Sequence, residues 1–129
     1  KQLRDLCRET EKISRHYGGM QVNICLNYGG RDEILRAAKA FALDCAEGRA
    51  VPGQLTAEEF GGRLYSAGIP DPDLVIRPSG ELRLSNFLLW QAAYSELYFT
   101  DLYWPDFNRE ELNRAIAEYQ ARSRRFGGV

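Results

Sequence analysis

The chain is short of the residues from which most reactive centres are assembled. Its 129 residues include one histidine, His16, so a histidine-based metal site or a serine-type triad has almost nothing to be built from. Three cysteines, Cys7, Cys25 and Cys45, cannot all pair, and none stands in a CxxC or a Cys/His cluster of zinc spacing, which points to a reducing compartment. No run approaches the roughly 18 apolar residues that cross a bilayer, and no basic-then-apolar signal segment opens the sequence. An excess of either charge is also lacking: 17 basic residues face 18 acidic ones, a balance that selects no class of partner. Lysine is scarce, with 3 residues against 14 arginines. That bias suits forked recognition of carboxylate or phosphate, although genomic base composition can produce the same ratio.

What is there reads as one globular domain. A composition with 44% apolar and 27% charged residues excludes disorder and a disulfide-stapled chain, and the length permits a single core. Apolar residues at Leu3, Leu6, Cys7, Ile13 and Tyr17 approximate one face of a helix that Gly18-Gly19 stops. Val22, Ile24 and Leu26 then alternate with polar neighbours, predicting a strand over Gln21 to Leu26. The turn Asn27-Tyr28-Gly29-Gly30-Arg31 leads into a helix from Asp32 to Glu47, with Ile34, Leu35, Ala38, Phe41, Ala42 and Cys45 facing inward and Gly48 as its stop.

Thr56-Ala57-Glu58-Glu59 is a capping-box signature for a short helix to about Ser66, a reading that Gly61 and Gly62 weaken. Two prolines make Ile69 to Asp73 a loop, and Leu74-Val75-Ile76 reads as a buried strand. A helix-like run from Ser85 to Glu96 and a short strand at Leu97-Tyr98-Phe99 follow, and a last helix starts at Asn108 with Glu111 three residues on. Alternating helices and strands predict an α/β domain whose largely parallel sheet is flanked by helices. Three short parallel strands rarely stand alone, so the sheet reads as incomplete, part of a larger unit or completed by a partner.

In open α/β sheets ligands bind beyond the carboxyl ends of the strands. Asn27, Gly29, Gly30 and Arg31 follow the first strand, and Arg77, Ser79, Gly80, Glu81, Arg83 and Ser85 follow the second. Glycines that let backbone N–H groups approach an anion, two helix starts and three arginines together describe a phosphate or diphosphate pocket. Against this, glycine-rich turns follow strands for geometric reasons alone, and Arg77 can simply pair with Glu81. Glu96 fits a cap, a salt-bridge partner or a metal ligand. The aromatic set from Phe87 to Phe107 suits core or interface packing.

The segments Asn27 to Arg31, Asp73 to Gln91, Tyr94 to Phe99, Trp104 to Phe107 and Arg124 to Gly128 closely resemble the bacterial cis-prenyltransferases of the undecaprenyl diphosphate synthase type. The resemblance runs in order through essentially the whole chain. It implies an enzyme that adds isopentenyl diphosphate units in cis geometry to farnesyl diphosphate, making the polyprenyl carrier of cell-wall sugars. It further implies that Arg77, Arg83 and Ser85 hold the diphosphate of isopentenyl diphosphate and that Glu96 takes part in binding Mg2+; the pocket read from the two turns adds Asn27, Arg31 and Glu81 as substrate-binding candidates.

Arg125, Gly127 and Gly128 match a segment that reaches a dimer partner's site, so a homodimer is expected, with the aromatic block at its interface. No nucleic acid is expected as a partner. The lipid product implies a cytoplasmic location with peripheral association at the inner membrane face. One departure is large. The Asp-Gly-Asn-Arg-Arg loop that supplies the catalytic aspartate in this family has no match here, nor do the tunnel-lining elements. The chain, which opens at Lys1 directly in a helical pattern, therefore resembles the C-terminal half, expected to be inactive alone. A non-catalytic binding subunit of such a complex is the alternative, and retention of Arg77, Arg83, Ser85 and Glu96 together favours the first reading.

Overall fold

Two parallel strands carry the architecture of the computed structural model, which describes residues 2–122. Strand β1, Leu74–Arg77, pairs with β2, Glu96–Phe99, in the register Leu74 to Glu96 and Arg77 to Phe99. Four helices accompany them: α1 at Gln2–Ser14, α2 at Gly30–Ala46, α3 at Ala57–Gly61 and α4 at Arg109–Ala121. Short 3-10 turns occupy Pro52–Gln54 and Trp104–Asp106, each with proline near its start, where a missing N–H costs nothing.

The helix boundaries follow from capping chemistry. The hydroxyl of Thr56 accepts from the Glu59 N–H at 3.1 Å, and the side chain of Asn108 accepts from the N–H groups of Glu110 and Glu111. Gly48 has φ +73°, the left-handed backbone expected just past a helix end. Helix α3 stops at Gly61 and does not reach Ser66.

The core is small and centres on Ala37, Leu64, Ala92, Tyr98 and Ala115. Helix α2 packs on α3, and α4 packs on β2. A chain of ion pairs ties α2 to the end of α3: Arg63 holds Asp44, which Arg49 also contacts, and this pairing keeps the Asp44 carboxyl below its ordinary range. Arg36 lies over the Tyr65 ring, 4.2 Å from its centre.

The structure departs from the sequence expectations at four further places. Gln21 to Leu26 is not a strand: Val22 and Ile24 are exposed, and among the described residues only β1 and β2 pair. The alternation is real, but a strand exists only against a neighbour that takes up its N–H and C=O groups. The expected helix from Ser85 to Glu96 is a series of turns over Ser85 to Tyr94, with Glu96 already in β2, because Ser85, Asn86 and Leu88 all have positive φ, which no right-handed helix accommodates. On α2 the inward face is set by Gly30, Glu33 and Ala37, whereas Leu35, Ala38 and Ala42 are exposed. Likewise α1 buries none of its residues and ends at Ser14, short of Tyr17.

Candidate functional site

The parallel register separates the nominated residues into two groups. Arg77 stands at the carboxyl end of β1 beside Phe99, while Glu96 opens β2 beside Leu74. Three residues of parallel strand separate those ends by about 10 Å. Arg77 and the turn that follows it therefore lie at the carboxyl edge, where open sheets receive ligands, and Glu96 lies at the opposite edge.

Beyond β1 the chain turns sharply. Ser79 and Gly80 take positive φ, with their N–H groups donating to Leu102 O at 2.8 Å and Thr100 O at 2.9 Å. A Cβ at position 80 would sit 3.1 Å from Asp101 Oδ1, so both space and backbone favour glycine there. The turn anchors the loop to the segment after β2 and presents three charged side chains. Glu81 pairs with Arg83, whose side chain stays 66% exposed. Arg77 does not pair with Glu81. Its Nε is buried and has no hydrogen-bond acceptor among the described residues. A buried guanidinium N–H without an acceptor is an unsatisfied donor awaiting a partner. Ser85 is exposed, with φ +48°.

The Asn27–Arg31 turn is organised differently. Asn86 covers the start of α2: its carbonyl accepts from Gly30 N–H at 2.7 Å and its Oδ1 accepts from Arg31 N–H at 2.9 Å. These are two of the donors that a helix start leaves open, so they are spent inside the protein and do not form an anion cradle. Glycine is required here because of Asn86 and Leu89: a Cβ on Gly29 would lie 2.9 Å from Asn86 Nδ2, and one on Gly30 would lie 3.0 Å from Leu89 Cγ. The side chains of Asn27, at φ +53°, and of Arg31 are exposed and remain available to a ligand.

Beneath this turn Glu33 is 1% exposed and carries no cationic partner among the described residues. Its oxygens instead accept from Tyr28 OH at 2.5 Å, Tyr65 N–H at 2.6 Å and Gln91 Nε2 at 3.2 Å. Gln91 Nε2 also donates to Ser66 Oγ at 2.8 Å. Burial, reinforced by the adjoining Glu33 carboxylate, pushes the Tyr28 phenol well above its ordinary range. The Tyr28 ring meets Phe87 edge-on, with centres 5.6 Å apart. The sequence reading missed Asn86, Glu33 and Gln91. Asn86 had one local signal, since asparagine tolerates left-handed backbone, whereas nothing local distinguishes Glu33 from an exposed acid in a first helical turn.

Of the five non-glycine residues with positive φ among the described residues, Asn27 falls in the first turn, Ser79 and Ser85 in the loop after β1, and Asn86 and Leu88 directly after that loop. Strain of this kind concentrates where geometry is set by function. A cavity of about 580 Å3 lies elsewhere, between α3 and the turns at Leu89 to Tyr94, and none of the nominated site residues lines it.

Glu96 is committed to an ion pair: Arg122 Nη1 donates to its Oε2 at 2.8 Å and to Leu97 O at 2.9 Å. Among the described residues no group of three or more His, Cys, Asp or Glu is gathered. Magnesium is held by one or two carboxylates with phosphate and water completing an octahedron. One carboxylate already held by an arginine, about 10 Å along the sheet from Arg77, does not by itself compose that site. Arg125, Gly127 and Gly128 lie outside the described residues.

Comparisons with known proteins agree with the fold. The protein-family model described as "Putative undecaprenyl diphosphate synthase" matches residues 1–127. An isoprenyl transferase of Heliobacterium mobile is 57% identical over 84% of the chain and 42% of its own length. A tritrans,polycis-undecaprenyl-diphosphate synthase (geranylgeranyl-diphosphate specific) of Thermoplasma volcanium is 47% identical over 97% of the chain and 48% of its own length. Among solved structures, lavandulyl diphosphate synthase from Lavandula x intermedia, in complex with dimethylallyl diphosphate, superposes with a TM-score of 0.92 at 38% identity. That likeness covers 98% of this chain and 54% of the other. The chain thus spans about half the length of the curated relatives it matches. With the family model covering nearly every residue and the same fold recurring in solved relatives, the chain belongs to the undecaprenyl diphosphate synthase family of prenyltransferases.

Proposed function

We propose that this chain carries the isopentenyl diphosphate side of a cis-prenyltransferase, and that the Arg77–Ser85 loop receives the diphosphate. The observation that carries the reading is the buried, acceptorless Nε of Arg77 at the carboxyl end of β1. A diphosphate oxygen supplies the acceptor it lacks, through a charge-assisted bond of the kind a guanidinium forms well. Arg83 and the Ser85 hydroxyl complete the grip, with the exposed side chains of Asn27 and Arg31 at its margin. Glu81 holds Arg83 in place.

In the reaction, a carbon–carbon bond forms between the isopentenyl unit and the allylic carbon while the allylic diphosphate departs with the bonding electrons. A proton leaves the isopentenyl unit. The residues of this chain orient the isopentenyl diphosphate so that its double bond meets the allylic carbon, which is an effect of position. Farnesyl diphosphate is the allylic partner in this reading. The family names and structures vary in that partner, with geranylgeranyl diphosphate in one relative's name and dimethylallyl diphosphate in another's crystal. Exposed Tyr94, Tyr103 and Trp104 offer an aromatic surface to a second copy of the chain, an association that sedimentation at rising concentration reads directly.

The test is Arg77→Ala in the full-length enzyme. Loss of charge-assisted bonds to the diphosphate raises the KM for isopentenyl diphosphate by roughly tenfold to a hundredfold. An unchanged KM removes Arg77 from the site.

A further inference from the structure

We infer that Asn86 is a positioning residue, a latch that locks the Asn27–Arg31 turn onto the Arg77–Ser85 loop and so fixes the Ser85 hydroxyl for the diphosphate. The inference rests on the reading of that loop as the diphosphate site. Asn86 itself need not touch substrate.

Three observations carry it. First, Asn86 bonds across 55 residues of sequence with both its main chain and its side chain, to the N–H groups of Gly30 and Arg31. Those donors open α2 and have no partner within the helix, so water would otherwise have to satisfy them. Second, the backbone at Ser85 and Asn86 is left-handed, at φ +48° and +66°. Such a conformation persists only where the surroundings impose it, and the contact of Asn86 with α2 is what the surroundings offer. Releasing Asn86 frees Ser85, one residue away, to relax toward ordinary backbone. Third, the receiving surface is shaped for this contact. The two glycines leave room that Asn86 and Leu89 occupy at 2.9 Å and 3.0 Å from where Cβ atoms would stand.

The latch therefore joins two segments that have separate duties. The turn is held from below by Tyr28, Glu33 and Gln91, and the loop beyond β1 is held by Leu102 and Thr100. Asn86 lies between them. An asparagine suits the position because it tolerates left-handed backbone and brings an acceptor on a short stem.

The experiment uses the full-length enzyme and reads kcat, the KM for each substrate and the melting temperature. Asn86→Gly keeps the left-handed backbone and the carbonyl acceptor but loses Oδ1; the KM for isopentenyl diphosphate is expected to rise about fivefold, with the allylic KM and kcat unchanged. Asn86→Ala adds backbone strain and is expected to raise it about tenfold. Gly30→Ala attacks the latch from the other side, placing a methyl 3.2 Å from Asn86 O, yet favours helix formation at its own position. It should show the same split between substrates. The Asn86→Gly, Gly30→Ala double variant should be no worse than the poorer single one, because both loosen the same junction between Asn86 and the start of α2.

A normal KM for isopentenyl diphosphate in both Asn86→Gly and Gly30→Ala overturns the latch, even if melting temperatures fall. So does an equal rise in both KM values, which marks a general loss of structure. Failure of the underlying site reading is seen separately, as an unchanged KM in Arg77→Ala.

Discussion

In the Asn27–Arg31 turn the N–H groups of Gly30 and Arg31 both end on Asn86, whereas in the Arg77–Ser85 loop the Nε of Arg77 ends on no acceptor among the described residues. Both segments are glycine-bearing, arginine-bearing and partly left-handed. One is closed by Asn86 and rests on a buried carboxylate; the other is anchored at its start, through the β1 ladder and the N–H groups of Ser79 and Gly80, and carries an exposed guanidinium at Arg83. Closed polar networks contribute rigidity, and unsatisfied donors contribute affinity for a partner. The difference teaches which segment to perturb for stability and which for binding.

The largest effect is expected in the closed turn. Glu33→Ala strands the N–H of Tyr65 and the hydroxyl of Tyr28 in a buried setting and leaves the Gln91 amide with Ser66 alone, and should cost about 3 kcal/mol or more in urea denaturation. A loss within a few tenths would mean that water replaces the carboxylate, and the contrast between the segments would collapse. Arg83→Ala acts on the open loop and should do the reverse, leaving stability unchanged because an exposed ion pair is worth about 0–1 kcal/mol. Its effect is a rise of about fivefold in the KM for isopentenyl diphosphate, smaller than for Arg77 because the guanidinium is exposed and shared with Glu81. A larger effect from Arg83 than from Arg77 would reverse their assigned order.

The smallest expected effect lies away from both segments and sets their baseline. Glu111, buried on α4, accepts hydrogen bonds from Thr100, Tyr98 and Arg114, which hold its carboxyl below the ordinary range. A depressed folded pKa means stability that is present above the ordinary glutamate value of about 4.3 and is lost as pH falls through the lower folded value. Glu111→Gln should therefore flatten the acid limb of the stability profile and leave both substrate KM values alone. An acid limb as steep as the parent's would show that other carboxylates carry it.

Local chemistry made much of this legible before folding. Capping at Thr56 and Asn108, the glycine stop at Gly48, and the apolar runs of β1 and β2 each have a cause within a few residues, and each appears where expected. Arg77, Glu81 and Arg83 were likewise readable as one cluster, though not which arginine Glu81 would choose. The failures share a different cause. Gln21 to Leu26 has the right period and no strand beside it, so its pattern cannot become pairing. Ser85 to Glu96 has a helical spacing, but Asn86 gains two tertiary bonds by leaving the helical region, and that exchange wins. Asn86 and Glu33 gain their importance from partners 55 and 58 positions distant, at Arg31 and Gln91, and no window of sequence contains both ends.

The five left-handed residues have a consequence for how this chain can vary. At most positions glycine loosens a fold, because the unfolded chain gains freedom by it. At Asn27, Ser79, Ser85, Asn86 and Leu88 the backbone already occupies a conformation that glycine enters freely, asparagine tolerates and most other residues resist. Substitution tolerance inverts there: valine, isoleucine and threonine are shut out by their branched stems, while glycine is admitted on backbone grounds and rejected only where the side chain has its own duty. Whether a position among these five accepts glycine thus separates residues kept for their shape from residues kept for their chemistry.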